Sequence, residues 1–353
     1  MWQVITERSF KLSTAKTVYI LGAGASKHAG LPLLSNFFQH AYSLREKNQC
    51  DQYPPNGYVQ ALNEVDEFRK KLKAEKPGVN VHNIEHVYAE ALKIQNTHLV
   101  HALDQVILGV LDLGGCTVNY QGQQYKPDST YTLFIKNVLT DPQTTFITFN
   151  WDCLLDYALF FNNHAVNYCL NSTQAHGAIK LIKIHGSINF GQCKDCGHSP
   201  HIIRPNGKIS FRPGIEHEKN KRFDLRLVTE ILPNEKCSKC SSGRLSPIIV
   251  PPALEKNFSE LLQNPLAHAE SAIAEAEKLY FIGYSFPETD TYFINFIRKA
   301  LKKNIRLTQI DVINPDTSLK ALYENHLEAA QHHFTINMVP DTFETFSQKY
   351  HAS

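Results

Sequence analysis

Four short stretches, spread over more than 260 residues of a 353-residue chain, carry backbone amides and side chains that could together hold one nucleotide. They are Gly22-Ala23-Gly24-Ala25-Ser26, Asn150-Trp151-Asp152, His185-Gly186-Ser187 and Gly283-Tyr284-Ser285. The first offers backbone N–H groups at the start of a following helix, which is where phosphates bind. A second constellation points to metal: Cys193-x-x-Cys196 and Cys237-x-x-Cys240 are paired knuckles with zinc-ligand spacing.

The elements that must position these residues are legible nearby. Each nucleotide stretch follows a run rich in β-branched or aromatic residues: TVYIL, TFITF, LIKI and LYFI. Continuous apolar runs of this length suit strands covered on both faces. Residues directly after them lie at the carboxyl edge of a parallel sheet, where open α/β sheets bind ligands. Strands are expected at 17–24, 144–150 and 180–185, and in SPIIVPP, KLYFIGYS and RLTQIDVIN, with a helix from about Ser26. Apolar residues recurring at three and four within 33–140 predict amphipathic helices, interrupted by loops at DQYPPNGY and GGCTVNYQGQQYKPDST. The fold expected is α/β: a doubly wound, Rossmann-like parallel sheet with a helical insertion and a small four-cysteine zinc module. We assign 17–32, 141–190 and 247–315 to the core, 33–140 to the helical insertion, 191–246 to the zinc module and 316–353 to C-terminal helices, the whole forming one catalytic unit.

Composition narrows the class. Hydrophobic residues make up 42% and charged residues 20%, as in ordinary soluble globular proteins. A formal charge of +2 gives no reason to expect direct nucleic-acid binding. No apolar run reaches the ~18–20 residues of a membrane span, and the amino terminus lacks the apolar core of a secretory signal, so the expected location is the cytoplasm. Four of the eight cysteines (Cys50, Cys116, Cys153 and Cys169) are scattered, and the plain reading is reduced thiols. Paired knuckles in a reducing compartment indicate tetrahedral zinc rather than disulfides. His198 and His201 could substitute as ligands, but two complete knuckles already satisfy four-coordination. A closed four-cysteine site leaves no position for substrate, so the zinc is expected to be structural. The 40 residues between the knuckles should carry strands of their own.

The stretch after TVYIL departs from the dinucleotide fingerprint, because Lys27 stands where its third glycine belongs. The fuller string Gly22-Ala23-Gly24-Ala25-Ser26-Lys27-His28-Ala29-Gly30-Leu31-Pro32 instead resembles the sirtuin signature. Further along, Asn150-Trp151-Asp152, His185-Gly186, the two knuckles, Gly283-Tyr284-Ser285 and Val312-Ile313-Asn314 resemble later sirtuin elements in the same order. The chain departs at Leu33-Leu34-Ser35-Asn36-Phe37, where sirtuins carry Phe-Arg, and at Phe149, where they have Gln. At Ile249-Val250-Pro251-Pro252-Ala253-Leu254 it departs again. A peptide captured by strand addition needs backbone donors that Pro251 and Pro252 lack. With the helical insert, IIVPP and GYSFPETD, the chain is similar to the bacterial sirtuin-like branch of antiphage defence, whose members cleave NAD.

That resemblance implies a set of roles, with NAD+ as substrate. Gly22, Ala23, Gly24 and Ser26 take the phosphates, Asn150 holds the ribose or attacking water, and Asp152 bonds the nicotinamide carboxamide. His185 is the general base, a role suited to a group titrating near neutrality. Gly283, Ser285 and Asn314 complete the adenosine contacts. Simpler readings stand beside these: Asp152 caps the helix LLDYALFF, Trp151 is a core aromatic, and Glu288 and Asp290 open the next helix. Arg298, Lys299, Lys302 and Lys303 form a solvated basic face. The leading function is an NAD+ glycohydrolase acting as a toxic effector; the alternatives are a protein deacylase or ADP-ribosyltransferase, and a non-catalytic NAD or ADP-ribose sensor. Control is expected through homo-oligomerisation or a partner such as a HerA-type ATPase or short Argonaute-like protein, with the helical insert as the interaction surface.

Overall fold

The computed structural model describes residues 16–46, 57–114, 128–139, 143–170, 177–199, 201–202, 207–210, 222–225, 235–243, 245–250, 260–287, 290–328 and 333–350. Its frame is a seven-stranded parallel sheet. The strands are β1 (Thr17–Leu21), β2 (Thr145–Thr148), β3 (Val166–Asn167), β4 (Ile179–Lys183), β10 (Lys278–Ile282), β11 (Gln309–Ile313) and β12 (Thr335–Val339), in the order β12-β11-β10-β1-β2-β4-β3. Alternate residues of β1 enter two different cores. Val18 and Ile20 meet the helices α7 (Glu260–Glu275), α8 (Thr291–Leu301) and α9 (Lys320–His326). Tyr19 and Leu21 meet α5 (Ser129–Val138), α6 (Leu154–Phe161) and α10 (Phe343–Lys349). Helices on both faces explain why these strands read as unbroken apolar runs. The chain builds toward β3 on one side of β1 and toward β12 on the other, so the topological switch point lies between β1 and β10.

The insertion supplies α1 (Phe37–Glu46), α2 (Tyr58–Glu75), α3 (Ile84–Lys93) and α4 (Thr97–Gly114). Their apolar faces close on one another and on a three-stranded antiparallel sheet of β6 (His201–Ile202), β5 (Gly186–Cys193) and β9 (Leu245–Ile249). Leu62, Val65, Leu103 and Val106 share this core with Ile188, Leu245 and Ile249. The faces expected to seek a partner are thus largely covered within the chain. Between the knuckles, β7 (Gly207–Ser210) pairs antiparallel with β8 (Arg222–Leu225).

Three details differ from expectation. The residues after Gly22 form a 3-10 turn over Ala23–Ala29, closed by Gly30 with φ of 82°, and the first α-helix starts only at Phe37. The SPII part of that stretch does form a strand, β9 (Leu245–Ile249), but it pairs with β5 instead of joining the main sheet. Gly186 is the cause: with φ of 76° it turns the chain out of the parallel sheet, and a Cβ there would lie 2.1 Å from the Ile248 carbonyl oxygen. The segment 316–353 is not purely helical, because β12 adds the edge strand beside β11. Its burial alternates over the first residues, as at a half-covered edge. Among the described residues no helix is long and apolar enough to cross a membrane. Cys50, Cys116, Pro251, Pro252, Ala253, Leu254 and Glu288 lie outside the described residues.

Candidate functional site

A cavity of about 760 Å³ opens at the carboxyl ends of the strands, beside the switch point. Its volume falls within the range of small-molecule sites. Ala23, Gly24, Ser26, Asn150, Asp152, His185, Gly283, Ser285 and Asn314 all line it. Gly22 sits behind them and donates its N–H to the Ile282 carbonyl at 3.0 Å. Four sequence stretches therefore meet in one place, delivered by β1, β2, β4 and β10, with β11 adding Asn314.

The two glycine turns are packed backbone to backbone. Gly24 donates to the Gly283 carbonyl at 2.9 Å, and a Cβ on Gly24 would lie 2.8 Å from that oxygen. The Gly24 N–H is therefore engaged inside the fold and is not free to donate into the cavity. Ser26 is the hub of the next layer. Its hydroxyl donates to Asp152 Oδ2 at 2.8 Å, lies 3.0 Å from the Tyr131 hydroxyl, and accepts from Asn150 Nδ2 at 3.2 Å. Asn150 Nδ2 also reaches the Gly22 carbonyl at 3.0 Å. Asp152 Oδ1 accepts the Leu154 N–H at 3.0 Å, so the helix-opening role and the cavity position coexist. Burial pushes the Asp152 carboxyl above its ordinary value, against the opposing pull of Lys183, the Leu154 amide and Ser26. The fully buried Lys183 ammonium anchors this segment from behind, donating to the Asp152 carbonyl at 2.7 Å and to Asp156 Oδ2 at 2.8 Å.

His185 stands in an aromatic cage. Its ring meets Phe149 at 5.1 Å and Phe293 at 4.6 Å, both edge-on, while Phe149 stacks on Tyr284 at 4.2 Å. Burial pushes its pKa down to about 3, opposed by a hydrogen bond to the Phe149 backbone. Its Nε2 is buried with no hydrogen-bond partner among the described residues. Asp290 Oδ1 is 3.5 Å away and has no hydrogen-bond partner among the described residues either. Asp290 Oδ2 accepts the Tyr284 hydroxyl at 2.6 Å. Burial raises this carboxyl to about 7, against the effect of that hydrogen bond. Trp151 lines the cavity as well as the helical core, and its Nε1 has no partner among the described residues.

Sequence reasoning set Asp290 aside as a helix opener. It does stand at the N-cap position of α8, but its side chain makes no capping bond and faces the cavity. The one available signal was its place six residues after Tyr284. The helical insertion covers part of the cleft through residues that the sequence does not single out: Tyr131 from α5 bonds Ser26, and Asn83 and Glu85 at the start of α3 wall the cavity. Nothing in their local spacing marks them. The basic face of α8 is solvated and paired: Lys299 and Lys303 meet Glu270, and Arg298 and Lys302 meet Glu328.

The four knuckle cysteines converge. Their Sγ atoms all lie within 4.8 Å of one another, with Cys193–Cys240 at 3.5 Å and Cys196–Cys237 at 3.6 Å. Those separations exceed a disulfide bond and match the about 3.8 Å expected between thiolates around tetrahedral zinc. The two knuckles repeat one backbone design. Gly197 and Ser241 donate to the Cys193 and Cys237 carbonyls at 2.9 and 2.8 Å, and both have left-handed φ. Cys193 and Cys237 in turn donate to His198 and Ser242 carbonyls at 3.0 and 2.7 Å. The donor set fits a structural zinc ion. β5 runs from Gly186 to Cys193, so the four-cysteine cluster lies up to roughly 25 Å from His185.

No protein-family model matches this chain, and no curated protein matches it. Solved structures similar to it include a Sir2 homologue in complex with NAD, at 16% identity over 95% of this chain and 88% of that one, with a TM-score of 0.44. A second is Sir2 with an inhibitor, 2'-O-acetyl-ADP-ribose and a deacetylated peptide, at 16% identity over 94% and 91% of the two chains and a TM-score of 0.41. A third is a mutant Sir2 homologue with ADP-ribose, at 17% identity over 95% and 90% and a TM-score of 0.41.

Proposed function

We propose that the protein hydrolyses NAD+ to nicotinamide and ADP-ribose. The observation that carries this reading is the convergence of four strand-end stretches on one cavity at the switch point, with a buried imidazole nitrogen left unpaired inside it. The leaving nicotinamide is a cationic pyridinium, so the bond breaks through an oxocarbenium-like state and asks mainly for positioning and a base. The turn around Ala23, Gly24 and Ser26, with Gly22 behind it, takes the pyrophosphate. Asn150 holds the ribose or the water, Asp152 the carboxamide, and Gly283, Ser285 and Asn314 the adenosine. His185 accepts the proton of the attacking water: burial holds the ring neutral, the state that can accept, but moves it down to about 3, away from the near-neutral titration expected of a histidine base, so a neighbouring charge must support the proton.

The test is nicotinamide release from NAD+ by purified protein, with and without an acetylated peptide. His185→Ala and Asn150→Ala should each lower turnover at least about 100-fold in protein that still folds. Full activity in both folded variants overturns the site. Turnover only with peptide favours deacylation, and binding without turnover favours a sensor.

The biological reading that goes with this chemistry is a toxic effector of antiphage defence, restrained until it assembles or meets a partner such as a HerA-type ATPase or short Argonaute-like protein. Its support is the helical insertion reaching into the cavity wall at Asn83 and Glu85, where a shift would change access. Light scattering beside the NAD assay at several concentrations tests it. A monomer as active as any assembled form removes the case.

A further inference from the structure

We propose that Asp290 is the positioning residue for His185: its carboxylate supplies the negative charge beside which Nε2 takes the proton of the attacking water, so the base of this site is a pair. The inference rests on the hydrolytic reading of the same cavity.

Among the described residues, Asp290 is the counter-ion within ion-pair distance of His185. Its ring is 2% exposed and enclosed by Phe149 and Phe293, and the hydrogen bond to the Phe149 backbone leaves Nε2 as the atom that can gain a proton. An imidazolium formed in such a cage would be strongly disfavoured without a neighbouring charge. Asp290 Oδ1 lies 3.5 Å from Nε2, on a residue 1% exposed, and both atoms lack hydrogen-bond partners among the described residues. At 3.5 Å the two atoms are not hydrogen-bonded, and both residues line the cavity. A water over the pair can give one proton to Nε2 while the new positive charge falls within reach of the carboxylate.

The second carboxylate oxygen is fixed from behind. The Tyr284 hydroxyl donates to Oδ2 at 2.6 Å, and the Tyr323 hydroxyl donates to the Tyr284 carbonyl at 2.7 Å. Among the described residues, the other titratable groups acting on this set are Tyr323 and Glu85 of α3, whose charges act on Tyr284. Burial alone pulls the two members in opposite directions, His185 down to about 3 and Asp290 up to about 7, so each taken singly favours its neutral form, and the case for the pair rests on their 3.5 Å approach.

The step balances as follows. The water proton moves to Nε2, the water oxygen bonds to C1', and the C1'–N bond breaks with its electrons entering the pyridinium, which leaves as neutral nicotinamide. The imidazolium, paired with the carboxylate, then releases its proton to solvent.

Asp290→Asn is the test, because asparagine keeps the shape and an acceptor for Tyr284. We expect kcat to fall roughly 100-fold with KM within about twofold, and the acid limb of the pH–rate profile to move at least one unit lower. Nitrogen NMR provides a readout that needs no turnover. The His185 signal, identified by its loss in His185→Gln, should gain its proton at least one unit lower in Asp290→Asn than in the native protein. Identical titration in the two proteins overturns the pair, whether or not NAD+ is cleaved. A shifted titration in a protein that never cleaves NAD+ keeps the pair and removes the hydrolytic reading. If Asp290→Asn does not fold, Tyr284→Phe replaces it. Loss of the hydroxyl donor raises the Asp290 carboxyl, so the pair should titrate at higher pH, and an unchanged titration overturns the proposal.

Discussion

Gly24 and Gly283 stand in backbone contact across more than 250 residues of chain, with the Gly24 N–H donating to the Gly283 carbonyl at 2.9 Å. This contact joins the turn after β1 to the turn after β10 and so holds the switch point closed on its cavity side. Glycine is required here by space as well as by chain direction. Gly283 has φ of 61°, and a Cβ on it would lie 2.3 Å from the Ala25 nitrogen.

Gly283→Ala should therefore destabilise the protein by more than about 2 kcal/mol, through strain and a clash with backbone that cannot yield. Gly78→Ala is the control, since no atom lies within 4 Å of its added Cβ, and it should stay within about 0.5 kcal/mol of the native protein. Urea denaturation of both variants measures the difference. Equal stabilities would show that the two turns can separate.

Ser26→Ala should cost about 1–3 kcal/mol, because it leaves the buried Asp152 Oδ2 and Asn150 Nδ2 each short of a partner. It should also weaken NAD+ binding about tenfold, by releasing Asn150 and Asp152 from the geometry they share. Calorimetric titration beside thermal melting reads both effects. A variant that melts and binds like the native chain would show that the hub does not organise the site.

Purified protein should contain about one zinc per chain, held by Cys193, Cys196, Cys237 and Cys240. Cys193→Ser should lower melting temperature and solubility first, with activity following, because Cys193 and Cys237 sit in the same core as α4 and β9. Elemental analysis and melting decide it. Metal-free protein with native melting would remove the structural role.

Stability should carry a pH signature from Asp104 on α4. Burial raises its carboxyl to about 7, against the pull of Lys194 and of the Tyr88 hydroxyl, which donates to Oδ1 at 2.6 Å. From roughly pH 4, where the unfolded group ionises, up to about 7, the folded chain holds a proton that the unfolded chain has lost. Stability from this residue is therefore full below that window and falls as pH rises through it. Asp104→Asn removes the penalty, so its stability relative to native should improve by at least about 1.4 kcal/mol between pH 4.5 and pH 8. Denaturant titrations at the two pH values check the sign, and a relative loss at pH 8 would contradict it.

How much of this was legible beforehand follows from range. TVYIL, TFITF, LIKI and LYFI identify buried parallel strands because a two-sided environment demands apolar residues at every position, a condition written locally. The knuckle spacing is local too, since each Cys-x-x-Cys forms its own turn. Strand pairing is not local. Whether SPIIV joins the parallel sheet or pairs with β5 depends on the turn at Gly186, which only the packing against Ile248 reveals. The alternating burial of β12 likewise reflects an edge that exists only once β11 is beside it. Within the site, the sequence by itself determined which residues stand at the strand ends, and the tertiary structure decided how they are connected. Ser26 reaches Asp152 and Tyr131, and Asp290 faces His185, across separations of more than a hundred residues. A side chain's partner over such a distance is set by how layers stack, and stacking leaves no periodic trace in the chain.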